Sequence, residues 1–493
     1  MWRTEGDVLM GRGVMGLLDR WFRIGERGST LSRELRGGLV TFVTVAYIVV
    51  LNPLILGSES PTDASAKRDV LGNILPVDQV AASTALVAGV MTILFGLIAN
   101  YPFAIAAGLG INTLLAATLV AKVSWPEAMG LVVLDGVVIL VLVATGFRTA
   151  VFHAVPAHLK SAIAAGIGVF ITFVGLVDAG FVHRIPDKAQ TTVPVELGLN
   201  GSIATWPTAV FCVGLLLTAV LVAKNVRGAI LISIASTTVL SIVVEALAHA
   251  GPSKGTNPSG WNLGYPALPQ QLVGLPDLSL VGDISFGAFT RLPALAAAML
   301  VFTLVLANFF DAMGTMTGLG EQAGLNRDGT LPRIGTALAV EGAGAVAGGL
   351  GSASSNTVFV DSAAGIAEGA RTGLANVVTG VLFLAAMFLT PLYKVVPVEA
   401  AAPALVVVGA MMIRQIKDID LSEFATALPA FLTIVVMPFT YSIVNGIGAG
   451  FLAHVVLETA MGRARRVHPL MWIVSAAFVL YFASGPLTEL LSS

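Results

Sequence analysis

Apolar runs of about twenty residues recur along almost the whole chain, separated by short polar stretches. Gly38 to Leu56 reads GLVTFVTVAYIVVLNPLIL, and Pro207 to Lys224 reads PTAVFCVGLLLTAVLVAK. Each run has the roughly 20 residues a helix needs to cross about 30 Å of hydrocarbon. The pattern predicts an all-α polytopic membrane protein. Spans are expected over 38–56, 80–99, 103–121, 126–146, 160–178, 206–223 and 228–248. A polar loop over 249–292 follows, and then spans over 293–318, 332–350, 355–371, 372–393, 398–413, 423–442 and 444–461. Residues 469–490 form one further apolar window, either a fifteenth span or an interfacial helix.

Two spans break the pattern. NYPFAIAAGLGIN opens the third, where Pro102 disfavours a helical residue before it. SNTVFV opens the tenth, β-branched and extended in character, with a helix expected from Asp361. Each is expected to begin as a short extended strand and turn helical near the bilayer midplane. Irregular backbone at that depth survives only buried in protein or lining a cavity. Asp361 and Ser362 are N-cap types, so the helix N-terminus is expected to face that cavity.

Seven spans before the loop and seven after it reverse the orientation of the second set, which is the condition for an inverted repeat. A short echo accompanies it, AAGL at Ala106–Leu109 and AAGI at Ala363–Ile366. Basic residues orient the chain with its N-terminus in the cytoplasm. Short loops then inside carry Arg148, Lys160, Lys224, Arg227, Arg327, Arg333, Arg371, Arg414, Lys417, Arg463, Arg465 and Arg466. Those outside, Lys67, Arg68, Lys122, Arg184, Lys188, Lys254, Arg291 and Lys394, fall mostly in long loops, where the bias has less force.

Composition agrees with this reading and narrows the function. The chain is 56% hydrophobic and 11% charged, with a net charge of -2 and no basic cluster, which gives no reason for a nucleic-acid partner. Its single cysteine, Cys212, excludes an internal disulfide. The first 36 residues are polar and mixed in charge, unlike a secretory signal. No HExxH, P-loop or Gly-x-Ser-x-Gly occurs and the six histidines lack metal spacing, so neither an enzyme nor an ATP-driven pump is indicated, and no metal or organic cofactor is expected.

The acids inside spans carry the chemistry. An ionisable group at midspan costs about 2.5–3.5 kcal/mol on insertion scales and marks function by default. In LVFTLVLANFFDAMGTMTGL, Asn308, Asp311 and Thr315 share one helical face. Asp135 lies within the fourth span, as a proton relay or a helix contact. Glu368 is either part of the site or an ion-pair partner of Arg371. Glu245 and Glu458 are expected to reach the interface. Phe103 and Phe359, in the two extended pieces, are candidates for a flat wall against a ring-shaped ligand.

Five stretches together resemble the nucleobase–cation symporter 2 family, in its azaguanine-sensitive branch of adenine/guanine/hypoxanthine permeases. They are TFVTVAYIVVLNPLIL (Thr41–Leu56), ANYPFAIAAGLGIN (Ala99–Asn112), NFFDAMGTMTGLGEQAGL (Asn308–Leu325), FVDSAAGIAEGARTGL (Phe359–Leu374) and MPFTYSIVNGIGAGF (Met437–Phe451). The resemblance implies fourteen segments in two inverted sevens and proton-coupled uptake of purines by an elevator-like movement at the plasma membrane. It implies a core domain of segments 1–4 (38–146) and 8–11 (293–393), after a cytoplasmic segment over 1–37. The gate domain would take segments 5–7 (160–248) and the remainder (394–493), and would form a homodimer contact.

By resemblance, Asn112 is the functional Asn of segment 3, Asp311 the acid of segment 8 and Asp361 the acid of segment 10. The substrate set is then Phe103, Asn112, Asp311, Thr315, Phe359 and Asp361, with Asp311 and Asp361 as carriers of the coupling ion, H+. Three positions depart from the branch: Asp361 where Glu is usual, Asn308 where Asp is common, and Val444-Asn445-Gly446-Ile447 where Ala-Asp-Gly-Ile is frequent. The alternative is an anion carrier of the sulfate-permease type. It predicts a cationic site and a regulatory domain after the last span, whereas this chain ends at Ser493 and its midplane is acidic.

Overall fold

This computed structural model describes residues 16, 18–58, 66–146, 154–185, 195–199, 201–253, 257–262, 265–268, 271–325, 331–393 and 395–483. Arg148, Lys188, Lys254, Arg327 and Lys394 of the charge pattern lie outside them, as do 484–490 of the last apolar window and most of 1–17.

The chain enters the membrane through α1 (Leu31–Val45), earlier than the expected start at Gly38, with Thr30 capping it. Hydropathy rejects this first turn because it holds Arg33, Glu34 and Arg36. Glu34 is nevertheless buried, because its carboxylate accepts from the backbone N–H groups of Arg371 (2.9 Å) and Thr372 (3.3 Å). A two-residue joint, Ala46–Tyr47, leads to α2 (Ile48–Leu56), and α3 (Val77–Ile98) follows. Then come β1 (Ile105–Ala107), α4 (Leu109–Leu114) and a π-helical turn, Leu115–Leu119. Helices α5 (Trp125–Ala144), α6 (Ala157–Asp178), α7 (Trp206–Ala223) and α8 (Ala229–Ala248) complete the first half, with a small hairpin of β2 (Val182–Arg184) and β3 (Val195–Leu197) after α6.

The second half opens with a short α9 (Ala288–Arg291) and the long α10 (Ala294–Gln322), then α11 (Ile334–Leu350). Its broken segment is β4 (Asn356–Val358), a 3-10 turn Val360–Ser362, and α12 (Ala363–Ala367). It closes with α13 (Gly373–Ala386), α14 (Thr390–Tyr393), α15 (Val398–Met412), α16 (Phe424–Phe439), α17 (Ile443–Ala460) and α18 (Pro469–Phe482). Nine helices among the described residues are long and apolar enough to cross a membrane. With 14 residues, α18 reaches about 21 Å at ~1.5 Å per residue, short of the hydrocarbon thickness. It packs through Phe478 on Phe451 of α17 and Phe302 of α10.

Both interrupted segments are strands that become helices, and the two strands pair antiparallel: Ile105 with Val358, Ala106 with Thr357, Ala107 with Asn356. Flanking groups extend the pairing, since Phe359 N–H donates to the Ala104 carbonyl and Gly108 N–H to that of Ser355, both at 3.0 Å. Side chains take the outward edge. Ile105 N–H donates to Thr92 Oγ1 (3.0 Å), and that hydroxyl donates to the Ile105 carbonyl (2.8 Å). Backbone polar groups at this depth thus find partners within the protein. The AAGL/AAGI echo does not mark equivalent places: Ala106 and Ala107 are strand, whereas Ala363–Ile366 are helix.

Packing partners fall into two sets. Helix α3 lies on α13, α5 on α11, and α1 on α13 and α12; α6 lies on α15 and α16, α16 on α17, and α7 on α8 and α15. Close crossings rest on glycine. A Cβ on Gly373 would stand inside the Gly96 carbonyl and one on Gly96 inside that of Gly373, so α3 and α13 meet backbone to backbone. The polar loop after α8 is tied down by two buried acids. Glu245, expected at the interface, instead accepts from the Trp261 indole (2.7 Å) and the Tyr265 hydroxyl (3.0 Å), and Glu399 accepts from Asn262 N–H (2.8 Å).

Candidate functional site

Four pieces of chain meet where β1 and β4 pair: the joint in α1–α2, the start of α4, the middle of α10 and the 3-10 turn after β4. Asp361 lies within that turn and makes no side-chain cap. Its carboxylate accepts from the Tyr47 hydroxyl at 3.1 Å, and its backbone carbonyl accepts from the Thr44 hydroxyl at 3.2 Å. Ser362 Oγ accepts from Ala104 N–H at 2.9 Å. The cap roles expected for Asp361 and Ser362 are therefore taken over by tertiary contacts. Helix α12 runs only over Ala363–Ala367, too short to present much of a dipole.

On α10, Asn308 Nδ2 donates to Asp135 Oδ2 (3.1 Å) and to Ser355 Oγ (2.8 Å), while Ser355 Oγ donates to the same Asp135 oxygen (3.3 Å). All three are buried, so Asp135 ties α5 to α10 and to the approach of β4. Asp311, three residues on, is half-buried and stands within reach of Thr357 on β4 and Glu341 on α11. Thr315 follows on the same face, also half-buried. Helix α10 packs against both β4 and the 3-10 turn, which brings the elements of Asp311 and Asp361 together. Glu341 is fully buried and is missed by the sequence reading. Its only signal is that of Asp311, an acid in the middle of a span, and it is masked there by the small residues of AVEGAGAVAGG.

Asn112 on α4 is fully buried, and neither its carboxamide oxygen nor its nitrogen has a hydrogen-bond partner among the described residues. The π-helical turn that follows is a local feature frequent at functional sites. Phe359 is buried with its ring 6.4 Å from that of Tyr47. Phe103 leads into β1, next to Ala104, and makes its ring contacts with Tyr101 and Phe95. Its ring stacks on Tyr101 at 5.0 Å and lies 6.4 Å from Phe95, so one face of it is covered by Tyr101. Tyr47 stands beside Asp361; in the sequence it reads as one more packed aromatic of an apolar run.

Glu368 does not pair with Arg371. It binds Arg36 of α1 at 3.1 Å and Arg227 of the α7–α8 connection, while Arg371 donates to the carbonyls of Ile366 and Ala370. Asn445, one of the departures, accepts from the Tyr481 hydroxyl of α18 at 3.4 Å. Glu458 lies near the end of α17, 3.5 Å from Arg463. Among the described residues no three His, Cys, Asp or Glu side chains are grouped to hold a metal ion.

Known proteins place this arrangement. The family model Xan_ur_permease, described as "Permease family", matches residues 32–448. The guanine/hypoxanthine permease PbuG of Bacillus subtilis is 36% identical over 466 residues, covering 94% of this chain and 98% of the relative. The adenine permease AdeP of Escherichia coli is 33% identical over 475 residues, covering 94% and 96%. Among solved structures, the transmembrane domain of the cyanobacterial bicarbonate transporter BicA matches with a TM-score of 0.57 at 14% identity, over 85% of this chain and 97% of that one. Murine Slc26a9, an anion transporter in its inward-facing state, matches with a TM-score of 0.53 at 12% identity, over 87% and 69%. At such identities the likeness shows the fold, whereas the family follows from the sequence matches. The chain is a multi-pass membrane protein belonging to the Xan_ur_permease family of permeases.

Proposed function

We propose that this permease takes up purine nucleobases across the plasma membrane in symport with protons, its N-terminus in the cytoplasm. The observation that carries the reading is the Asn112 carboxamide, buried with both ends unbonded. Buried polar groups are nearly always partnered, so a bare amide on a helix packed against α10 is matched to a ligand that donates and accepts at adjacent atoms. A purine does so along its ring edge. Asp361 would accept a ring N–H, Asn112 would bond a neighbouring donor–acceptor pair, and Phe359 would cover a face. The names of the relatives, guanine/hypoxanthine and adenine permeases, support the same substrate class.

Asp311 is assigned as the proton carrier, with Thr315 and Thr357 beside it and Glu341 as its acidic neighbour. The helices packed around α3, α5, α11 and α13 form the core in this reading. Those around α6, α15, α16 and α17 form the gate, against which the core moves in an elevator-like step and through which two copies pair. The test is labelled hypoxanthine uptake at two external pH values, with adenine, guanine, xanthine and uracil as competitors. Saturable uptake that is faster at the lower pH and blocked by purines is the expected result. Asp311→Asn should abolish proton-driven accumulation, and its retention would reject Asp311 as the carrier.

Anion transport is the rival reading, because the fold is shared with anion carriers. The site argues against it. Asp311, Glu341 and Asp361 offer an anion three carboxylates, and no Lys or Arg belongs to the set of Asn112, Asp311, Thr315, Phe359 and Asp361. Inhibition of hypoxanthine uptake by bicarbonate or sulfate, with no effect of purines, would reverse the choice.

A further inference from the structure

Asp361 is gripped by a part of the chain that the transport reading leaves idle. The joint Ala46–Tyr47 interrupts the first span, and from it the Tyr47 hydroxyl donates to Asp361 Oδ2 at 3.1 Å. One turn earlier, the Thr44 hydroxyl lies 3.2 Å from the Asp361 carbonyl and shares its one proton with the Thr41 and Val40 carbonyls of its own helix, at 3.0 and 3.1 Å. Tyr47 is itself buried and its ring lies beside Phe359, so the hydroxyl has little freedom to follow a moving partner. The Tyr47 hydrogen bond favours the side-chain rotamer that leaves one carboxylate oxygen on the phenol and the other clear of it. We propose that Tyr47 is the positioning residue for Asp361, occupying one carboxylate oxygen so that the other is aimed at a ring N–H of the bound purine.

This rests on the purine reading and adds a division of labour to it. The phenol donates only to the acid and makes no demand on the substrate. It therefore acts on substrate affinity through Asp361 rather than on the transport step. An aspartate reaches less far than a glutamate, and a short arm that is free to rotate loses its target more easily than a fixed one.

The experiment uses the full chain, expressed in cells lacking their own purine uptake, with surface amount measured for each variant. Tyr47→Phe removes one oxygen and leaves the packed ring. Labelled hypoxanthine should show a KM raised about tenfold with Vmax within twofold of the parent, the pattern of lost binding rather than lost turnover. Unlabelled deaza analogues, each with one ring nitrogen replaced by C–H, supply the readout that a packing role would not move. The analogue that binds the purified parent and purified Asp361→Ala equally well lacks the N–H that Asp361 accepts. Its inhibition constant should be the same in Tyr47→Phe, while analogues that keep that N–H weaken about tenfold. Equal weakening of every analogue, or an unchanged KM for hypoxanthine, would overturn the assignment while leaving the purine reading intact. A parent chain that takes up no purine overturns that reading, and this inference with it.

Discussion

Asn112 illustrates what a single side chain reveals. A buried amide without partners contributes nothing to the empty protein and carries a desolvation cost of about 1–3 kcal/mol. Asn112→Leu is therefore expected to hold or raise the thermal midpoint of the purified protein without ligand. The upward shift that hypoxanthine gives the parent should disappear. Asn308 behaves oppositely, because its amide serves the buried Asp135 carboxylate, and Asn308→Ala should destabilise by about 1.5–3 kcal/mol. Helical spacing alone puts Asn308, Asp311 and Thr315 on one face. Extended pieces give no such guidance. Successive side chains in a strand point to opposite faces, and nothing in NYPFAIAAG tells which face meets the ligand, so the sequence offers Phe103 to the site while that ring stacks on Tyr101.

Elements are legible where lipid dictates them and misread where protein replaces lipid. Hydropathy locates the long helices, and Pro102 with the β-branched SNTVFV stretch locates the two strands. It places the first helix start at Gly38, because a turn containing Glu34 looks soluble until the N–H groups of Arg371 and Thr372 cover that acid. Local rules also misjudge the turn after β4. Asp361 and Ser362 are good caps in isolation, yet the unpaired edge of β1 and the Tyr47 hydroxyl compete for them. Glycine positions are visible but mute, since a sequence does not say which two helices touch. Gly373→Ala should force α3 and α13 apart at Gly96 and cost about 1–3 kcal/mol, read as a lower thermal midpoint and reduced surface expression.

At the scale of the molecule, the two packing sets are joined by charge at both membrane faces. At one end, Glu368 is held by Arg36 from its own set and by Arg227 from the other. At the other end, Lys67 lies 3.9 Å from Asp178 at the end of α6 and donates to the Leu54 carbonyl of α2 at 2.6 Å. Arg227 is 64% exposed in its side chain, so Arg227→Gln should change stability by less than about 1 kcal/mol. If the two sets slide past each other during transport, the same substitution should alter the rate of substrate exchange across the membrane, measured by counterflow at saturating purine. An exchange rate equal to the parent's would mean that this contact persists through the cycle.

The register of β1 with β4 has a consequence for how such a chain is made. One strand lies near residue 106 and the other near residue 357, with some 250 residues between them. A nascent chain emerges from its N-terminus, so everything up to α11 is synthesised before the second strand exists, and no shorter prefix of the protein contains both strands. Until then the Ala104 carbonyl and the Gly108 N–H, which face the second strand, lack their final partners in a setting where water cannot supply them. The paired-strand arrangement therefore arrives late and in one step, when the second strand docks. Truncations ahead of Asn356 should accumulate as misassembled chains for membrane proteases rather than as weak transporters.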